Sequence, residues 1–176
     1  FHQDFLKMKL PAVPYKVFAN IPFSITTAIM RKLTHADNPP REAWLVMEKG
    51  AAKRFMGLPD ASAISLGLKP FFDLDICYHL RAQDFHPASR VQTVLLHLQQ
   101  KAQPDLPFAW HAEYEAFVRH SMQYGLDGQR RLLTKRQIAT ALKQANLPPL
   151  QTHGTICYIQ WLCLFRCYRQ MGRHSL

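Results

Sequence analysis

A strand, a helix and a second strand follow one another in residues 15–48, and this order constrains the fold more than any other feature. Tyr15–Ala19 is a β-forming run that ends at the sequence Asn-Ile-Pro-Phe. A helical apolar spacing then begins at Ser24, which is predicted to be the capping residue, and ends near Leu33. Ala43–Glu48 is nearly all apolar, as in a strand buried on both faces. This unit predicts two parallel strands joined by a right-handed crossover.

Ligands of such sheets bind beyond the carboxyl ends of the strands. Asn20 lies at that end of the first predicted strand. Asp4 lies in a predicted strand end, Asp4–Leu6, and is placed at the same edge. The two positions predict a binding site there.

The next elements are predicted to complete an α/β part. A short basic helix is predicted over Ala51–Met56, and Ser62–Leu68 is compatible with either helix or strand. Phe72–Leu80 and Val91–Leu98 are predicted to pair antiparallel at the edge of the sheet.

A domain boundary is predicted in the polar, proline-containing stretch Gln99–Pro107. Residues 1–103 would belong to the α/β domain, and residues 104–176, with helical apolar spacing, to a small all-α domain. A capping box at Thr134–Gln137 predicts one helix start in this second part.

The chain is strongly basic, with 22 Lys and Arg against 12 Asp and Glu and a formal net charge of +10. Such an excess is typical of proteins that bind a polyanion, although a basic surface without a partner is the alternative. The candidate RNA-binding residues lie on the short basic helix and in the all-α part: Lys53, Arg54, Arg130, Arg131, Lys135 and Arg136.

The four cysteines form no Cys-x-x-Cys pair, and we interpret them as small buried residues of a reduced protein without a metal site. No apolar run approaches the about 18 residues that a membrane span requires. The expected location is the cytoplasm.

The Asn-Ile-Pro-Phe segment suits chemistry on the exocyclic amine of a nucleobase. Such an amine is a poor nucleophile because its lone pair is delocalised into the ring. The Asn20 side-chain oxygen and the Ile21 carbonyl can accept both N–H bonds and direct the lone pair at a methyl donor. Phe23 would stack on a base that is unpaired or flipped out. The alternative is an ordinary turn, with Asn20 bonded to local backbone and Phe23 in the core.

A second aromatic residue, Phe85, is followed by His86-Pro87 between the two predicted edge strands. Phe85 can cover the other face of the same base. The alternative is an aromatic residue of an edge loop without a role in binding.

The order of these motifs resembles the adenine-N6 rRNA dimethyltransferases, and most closely the Erm erythromycin-resistance methylases. The motifs are Asp-Phe-Leu at 4–6, Lys-Val-Phe-Ala-Asn-Ile-Pro-Phe at 16–23 and Phe-x-Pro-x-x-x-Val at 85–91. The segments Thr-Lys-Arg-Gln-Ile-Ala-Thr-Ala-Leu-Lys-Gln-Ala and Gln-Trp-Leu-Cys-Leu-Phe-Arg-Cys-Tyr are similar to the Erm C-terminal helical domain. A DNA adenine methylase is a weaker interpretation, because many of those enzymes carry a second proline where this chain has Ile21.

The resemblance implies the C-terminal part of a Rossmann-like class I methyltransferase domain, followed by a helical RNA-binding domain. It implies S-adenosylmethionine as the donor and an adenine of 23S rRNA as the acceptor. Methylation of that adenine would block macrolides, lincosamides and streptogramin B. The expected partner is 23S rRNA, and the protein is expected to act as a monomer.

The resemblance also assigns roles to residues. Asp4 matches the acidic contact to the cofactor adenine, with Phe5 beside it, and Asn20 matches the asparagine where cofactor and target amine meet. Asn20, Ile21 and Phe23 are therefore the expected catalytic residues. Phe23 and Phe85 match the aromatic residues that stack on the target base.

Two departures from the family pattern stand out. Ser89 replaces the second proline of the Phe-x-Pro motif, which predicts a looser loop. The glycine-rich cofactor loop should precede Asp4, yet none of the seven glycines forms Gly-x-Gly-x-Gly. Because the chain also begins with Phe1, we expect the later part of a longer protein, with weak affinity for S-adenosylmethionine. The alternative function is an RNA-binding fragment without catalysis.

Overall fold

The computed structural model describes residues 3–151 and 155–171, and the side chains of all of these except residues 125–129. The chain divides into two compact units, Phe1–Phe108 and Ala109–Leu176. The division lies a few residues beyond the predicted boundary between 103 and 104. The predicted domains also include residues 1–2, 152–154 and 172–176, which lie outside the described residues.

The first unit is built on a four-stranded sheet with the strand order β1-β2-β4-β3. Its strands are β1 (Lys16–Asn20), β2 (Glu42–Glu48), β3 (Phe72–Leu80) and β4 (Thr93–Gln100). The predicted parallel pairing of β1 and β2 is confirmed, and β4 runs antiparallel to both β2 and β3. The carboxyl ends of β1, β2 and β3 therefore meet at one edge of the sheet.

Three helices complete this unit. A 3-10 turn at Phe23–Ile25 leads into α1 (Thr26–Thr34), which connects β1 to β2. α2 (Lys49–Met56) and α3 (Ala63–Leu68) lie between β2 and β3 in the chain.

The predicted cap at Ser24 is wrong, because Ser24 lies inside the 3-10 turn and the helix has no side-chain cap. The Thr26 hydroxyl instead donates to the carbonyls of Pro22 and Phe23, at 3.3 and 3.1 Å.

The strand end predicted at Asp4–Leu6 is also wrong, because these residues form a turn. Asp4 Oδ1 accepts a hydrogen bond from the Leu6 N–H at 2.9 Å. An aspartate that bonds to the backbone two residues further on stabilises a turn at the expense of a strand. Lys32 Nζ then holds the turn by donating to the carbonyls of Leu6 and Met8, at 2.9 and 2.5 Å.

The predicted antiparallel pairing of β3 and β4 is confirmed, but β4 does not lie at the edge, because it separates β2 from β3. The segment with α2 and α3 leads the chain from β2 to β3 and leaves a gap between these two strands, and β4 later pairs in that gap. The ambiguous segment Ser62–Leu68 is helical because Ser62 and Ser65 form a capping box. Ser62 Oγ accepts from the Ser65 N–H at 3.2 Å, and Ser65 Oγ accepts from the Ser62 N–H at 2.8 Å.

The two faces of the sheet differ in exposure. Paired residues such as Leu45 and Leu96 are fully buried on one face. Burial of each such side chain contributes about 1.5–3 kcal/mol. The other face carries a row of Phe18, Trp44 and His97, of which Phe18 is 75% exposed.

The second unit consists of α4 (His111–Leu132), α5 (Lys135–Gln144) and α6 (Tyr158–Met171). The capping box predicted at the start of α5 is confirmed, since Thr134 Oγ1 accepts from the Gln137 N–H at 3.2 Å. The core of this unit is aromatic. The Phe165 ring lies 5.0 Å from that of Tyr114, 5.5 Å from that of Phe117 and 6.4 Å from that of Tyr168, measured between ring centres.

Among the described residues, no helix has the length and apolar character needed to cross a membrane. The four cysteines are free thiols, and Cys167 is buried. The predicted burial is wrong for Cys77 and Cys157, which are exposed.

Candidate functional site

The turn after β1 is held firmly at Ile21. The Ile21 N–H donates to the Val46 carbonyl at 3.2 Å, which extends the β1–β2 pairing by one residue. The Ile21 side chain is only 4% exposed. Anchoring of both the backbone and the side chain of Ile21 fixes the backbone next to Asn20 and the direction of the Ile21 carbonyl, and Pro22 restricts the next step of the chain.

The groups on this turn are available for a ligand. Asn20 is exposed, and its side-chain amide makes no hydrogen bond with the described part of the chain. The Ile21 carbonyl likewise accepts none from the described residues. Phe23 is 41% exposed. The interpretation as an ordinary turn, with a satisfied asparagine and a core phenylalanine, is therefore wrong.

The loop between β3 and β4 faces this turn. Its residue Phe85 is half-buried, and the His86–Pro87 peptide bond is cis. The missing second proline predicts a looser loop at Ser89, but Ser89 itself makes two hydrogen bonds within the loop. The Ser89 N–H donates to the Ala82 carbonyl at 3.1 Å, and Ser89 Oγ donates to the Val91 carbonyl at 2.9 Å. A proline at this position would have no N–H to donate.

The turn and the loop line one cleft of about 370 Å³, which we call the first cleft. It brings together four of the predicted site residues, Asn20, Ile21, Phe23 and Phe85. Pro22, Pro87 and Ser89 complete its lining, and no lining residue is charged. An uncharged cleft with two aromatic rings and two hydrogen-bond acceptors suits a flat, amine-bearing ring.

Asp4 and Phe5 do not line this cleft. Asp4 is exposed on its turn, where Oδ1 is bonded to the Leu6 N–H. The Phe5 ring lies under the Lys32 ammonium, with Nζ 5.6 Å from the ring centre. Lys32 thus fixes the backbone that presents Asp4.

The predicted RNA-binding residues fall into two groups. Lys53 and Arg54 are exposed in the last turn of α2, and one Arg54 guanidinium nitrogen donates to Thr27 Oγ1 at 3.0 Å. The other four lie where α4 ends and α5 begins in the second unit: Arg130, Arg131, Lys135 and Arg136. Arg130 and Lys135 line one shallow cleft of about 180 Å³.

A second cleft of about 400 Å³ lies at the same edge of the sheet, and the sequence did not predict it. Its charged or titratable lining residues are Lys49, His79 and Arg90, and it shares Ser89 with the first cleft. Lys49 follows β2, His79 lies near the end of β3 and Arg90 precedes β4, so all three lie at the edge of the sheet where β1, β2 and β3 end. These positions could have predicted the second cleft from the sequence only if the strand order had been known.

Burial raises the pKa of four side chains that do not line the first cleft: Cys163, Cys167, Tyr15 and Tyr168. In the β3–β4 loop, the hydrogen bonds from Arg81 lower the pKa of the Asp84 carboxyl. The lining of the first cleft contains no titratable side chain, so none of its side chains is a general base.

The sheet, its crossover and the cleft at its carboxyl edge are those of an α/β, Rossmann-like fold, and a helical unit follows it. The crystal structure of the 23S rRNA methyltransferase ErmE superposes with a TM-score of 0.75 at 25% identity, covering 95% of this chain and 70% of that one. A dimethyladenosine transferase from Plasmodium falciparum shares the fold, with a TM-score of 0.66 at 16% identity over 94% of this chain and 71% of its own.

The model of the ribosomal RNA adenine dimethylase family matches residues 1–156, and the chain belongs to that family. An rRNA adenine N-6-methyltransferase of Bacillus licheniformis is 32% identical over 98% of this chain. One of Staphylococcus aureus is 32% identical over 94% of it. The chain spans 62% of the length of the first relative and 65% of the second.

Proposed function

We propose that this protein takes part in the S-adenosylmethionine-dependent methylation of an adenine N6 in 23S rRNA, with the first cleft as the site of the target base. One observation carries the proposal. Two acceptors without partners among the described residues, on Asn20 and Ile21, meet two phenylalanines in one uncharged cleft at the carboxyl edge of the sheet. The names of the relatives and the family support the substrate class.

The arrangement can activate an adenine amine without a charged base. The Asn20 side-chain oxygen and the Ile21 carbonyl accept the two N–H bonds, which draws the nitrogen toward tetrahedral geometry. Its lone pair then leaves the ring system and could attack the methyl carbon as the methyl–sulfur bond breaks and the thioether leaves, after which the nitrogen would lose one proton to solvent. Because the Ile21 N–H is tied to Val46, the Ile21 carbonyl needs little reorganisation as charge develops on the nitrogen.

The methyl donor supplies an electrophilic methyl group on a sulfonium when it is bound. The turn at Asp4 fits a contact to the adenine of the donor: Oδ1 holds the Leu6 N–H, while Oδ2 has no partner among the described residues. An exposed carboxylate oxygen is an acceptor that suits an exocyclic amine. We assign Asp4, Phe5 and Asn20 to the donor side of the site.

The basic residues of α2 and of the α4–α5 junction would bind the phosphates of the rRNA. Ribosomal RNA as substrate implies a cytoplasmic protein, and we expect it to act as a monomer. Methylation of the 23S adenine would confer resistance to macrolides, lincosamides and streptogramin B.

Replacement of Asn20 by alanine tests the proposal. Asn20→Ala is expected to abolish transfer of a radiolabelled methyl group from S-adenosylmethionine to 23S rRNA. RNA affinity should stay within a few-fold of the wild type, because acceptors at the amine act mainly in the transition state. Ser24→Ala is the matched control, since Ser24 is exposed on the same turn and does not line the cleft. Equal transfer by the two variants would remove Asn20 from the reaction.

An RNA-binding fragment without catalysis is the second candidate. The observation that favours it is that none of the seven glycines of this sequence occurs in a Gly-x-Gly-x-Gly loop. In that case the chain binds 23S rRNA with strong salt dependence, binds S-adenosylmethionine weakly and transfers no methyl group. Calorimetry with S-adenosylmethionine separates the candidates, because micromolar binding contradicts the second.

A further inference from the structure

Three cationic or titratable side chains surround the second cleft without a carboxylate in its lining. Lys49 begins α2 directly after β2, His79 lies near the end of β3, and Arg90 precedes β4. The side chains of these three residues make no salt bridge or hydrogen bond with the described part of the chain. Like charges brought together without counter-charges favour an anionic ligand.

The nearby acidic residues do not neutralise this group. Asp84, the acidic residue of the β3–β4 loop, is paired with the Arg81 guanidinium at 3.0 Å and also accepts from the Arg81 N–H at 2.8 Å. Glu48 precedes Lys49 but does not line the cleft.

The backbone around the cleft is well held. The Lys49 N–H donates to the Gln92 carbonyl at 2.8 Å, which joins the start of α2 to the segment before β4. A bulge between Ile76 and Tyr78 shifts the register of β3 so that His79 lies opposite Val94. Bulges redirect side chains beside functional sites. Lys49 and His79 are thus placed by regular secondary structure, His79 by the bulge in β3 and Lys49 by the hydrogen bond that joins α2 to the segment before β4.

The two clefts adjoin, because Ser89 lines both. A nucleotide whose base enters the first cleft must have its own phosphates close to the mouth of that cleft. Charge, position and continuity therefore point to the same kind of ligand, the backbone of the strand that supplies the base.

We propose that Lys49, His79 and Arg90 form a phosphate-binding subsite for a phosphodiester next to the target adenine. This inference rests on the proposed function of the first cleft. Lys49 and Arg90 supply positive charge, and His79 can donate an N–H in any protonation state. The subsite would fix the flanking backbone while the unpaired base lies between Phe23 and Phe85.

The test combines a change in the protein with a change in the RNA. The double variant Lys49→Gln/Arg90→Gln is titrated with a labelled RNA hairpin that carries one unpaired adenine. Each linkage beside that adenine is replaced in turn by a neutral methylphosphonate. One replacement is expected to weaken binding to the wild type about ten-fold and binding to the double variant less than about two-fold, because that variant no longer binds the phosphate.

Lys69→Gln serves as the control, because it removes one positive charge before β3, at the opposite edge of the sheet. It should retain the full methylphosphonate effect. Equal methylphosphonate effects in the wild type and the double variant would overturn the inference. So would an altered affinity for S-adenosylmethionine with RNA affinity unchanged, since the cleft would then serve the donor.

Two further arrangements keep the result interpretable. Arg90→Gln alone, in an exposed loop position, repeats the test if the double variant is not folded by circular dichroism. Methyl transfer by the Asn20→Ala variant reports on the first cleft independently. Loss of transfer in Asn20→Ala with no selective methylphosphonate effect would reject the subsite and leave the proposed function standing.

Discussion

Phe23 and Phe85 are the two aromatic residues of the first cleft, and we propose that they stack on the target base. Phe23 is 41% exposed and Phe85 is half-buried, so neither ring is fully used in the core. Each has a face that can be covered by a planar ligand. Stacking of a base on an aromatic side chain contributes about 1–3 kcal/mol and tolerates any base. In the proposed function, a preference for adenine would then come from the acceptors on Asn20 and Ile21.

Phe23→Ala is therefore expected to weaken the binding of RNA with an unpaired adenine by about five-fold to 150-fold. The free energy of unfolding should change little, because the ring is already partly exposed. Fluorescence anisotropy with the same hairpin measures the affinity.

Phe18→Ala is the matched aromatic control, since Phe18 is 75% exposed and lies in neither cleft. It should retain wild-type affinity. The same decrease in affinity in both variants would show that the effect is not specific to the cleft.

At this scale the sequence predicted local features and missed distant ones. Asn20 and Phe23 were located because strand, turn and helix follow one another within a few residues. Asp4 was misplaced in a strand because its side chain bonds to Leu6, a local competition that residue spacing does not reveal. The second cleft could not be predicted, because Lys49, His79 and Arg90 are distant in sequence and are brought together only by the strand order.

Gly57 determines how α2 connects to α3. It ends α2 with φ of 77°, in the left-handed region that favours glycine. An added Cβ would lie 2.8 Å from Ser65 Oγ, an atom of the capping box that begins α3. Both the positive φ and the short distance to Ser65 therefore require glycine, and both arise because the chain turns sharply between α2 and α3.

Gly57→Ala is expected to lower the free energy of unfolding of the first unit by about 2 kcal/mol or more, from the left-handed conformation and the contact with Ser65. Urea denaturation followed by the fluorescence of Trp44, the one tryptophan of that unit, measures the change.

Gly50→Ala provides the contrast within the same helix. Its added Cβ meets nothing closer than 3.5 Å, so the higher helix propensity of alanine should stabilise the unit by up to about 1 kcal/mol. A destabilisation of the same size in both variants would contradict the role given to Gly57.

At the scale of elements, the parallel β1–β2 pair was predictable, because the two strand-like runs are separated by one helical segment, α1, of the length that a crossover connection needs. The order of the remaining strands was not. Hairpin-like spacing correctly paired β3 with β4, but it carried no information on which of them lies beside β2. That choice depends on the two short helices α2 and α3 and on the fully buried residues of β4, such as Leu96 and Leu98.

The molecule as a whole combines an uncharged first cleft with a basic surface. Arg130, Arg131, Lys135 and Arg136 are exposed at one junction of the second unit, where the Arg131 guanidinium lies 4.7 Å from the centre of the Tyr124 ring. In the proposed function the first cleft would recognise the base, and these basic residues would contact phosphates, which position a nucleic acid without reading its sequence.

Replacement of these four residues by alanine is expected to weaken RNA binding and to reduce its dependence on salt. The slope of log affinity against log salt should fall by up to about 0.9 for each phosphate that the variant no longer neutralises. Filter binding at several salt concentrations gives the slope. Lys143→Ala, an exposed charge further along α5, should change it less per charge. Unchanged affinity in the quadruple variant would place the junction outside the RNA surface.

Ser89 limits how this chain can vary. Its N–H and its hydroxyl hold the loop through Ala82 and Val91. Replacement of Ser89 by proline would remove both hydrogen bonds at a residue that lines two clefts. A proline at position 89 is therefore expected to be tolerated only together with other changes in the loop, so the effects of substitutions there should not be additive.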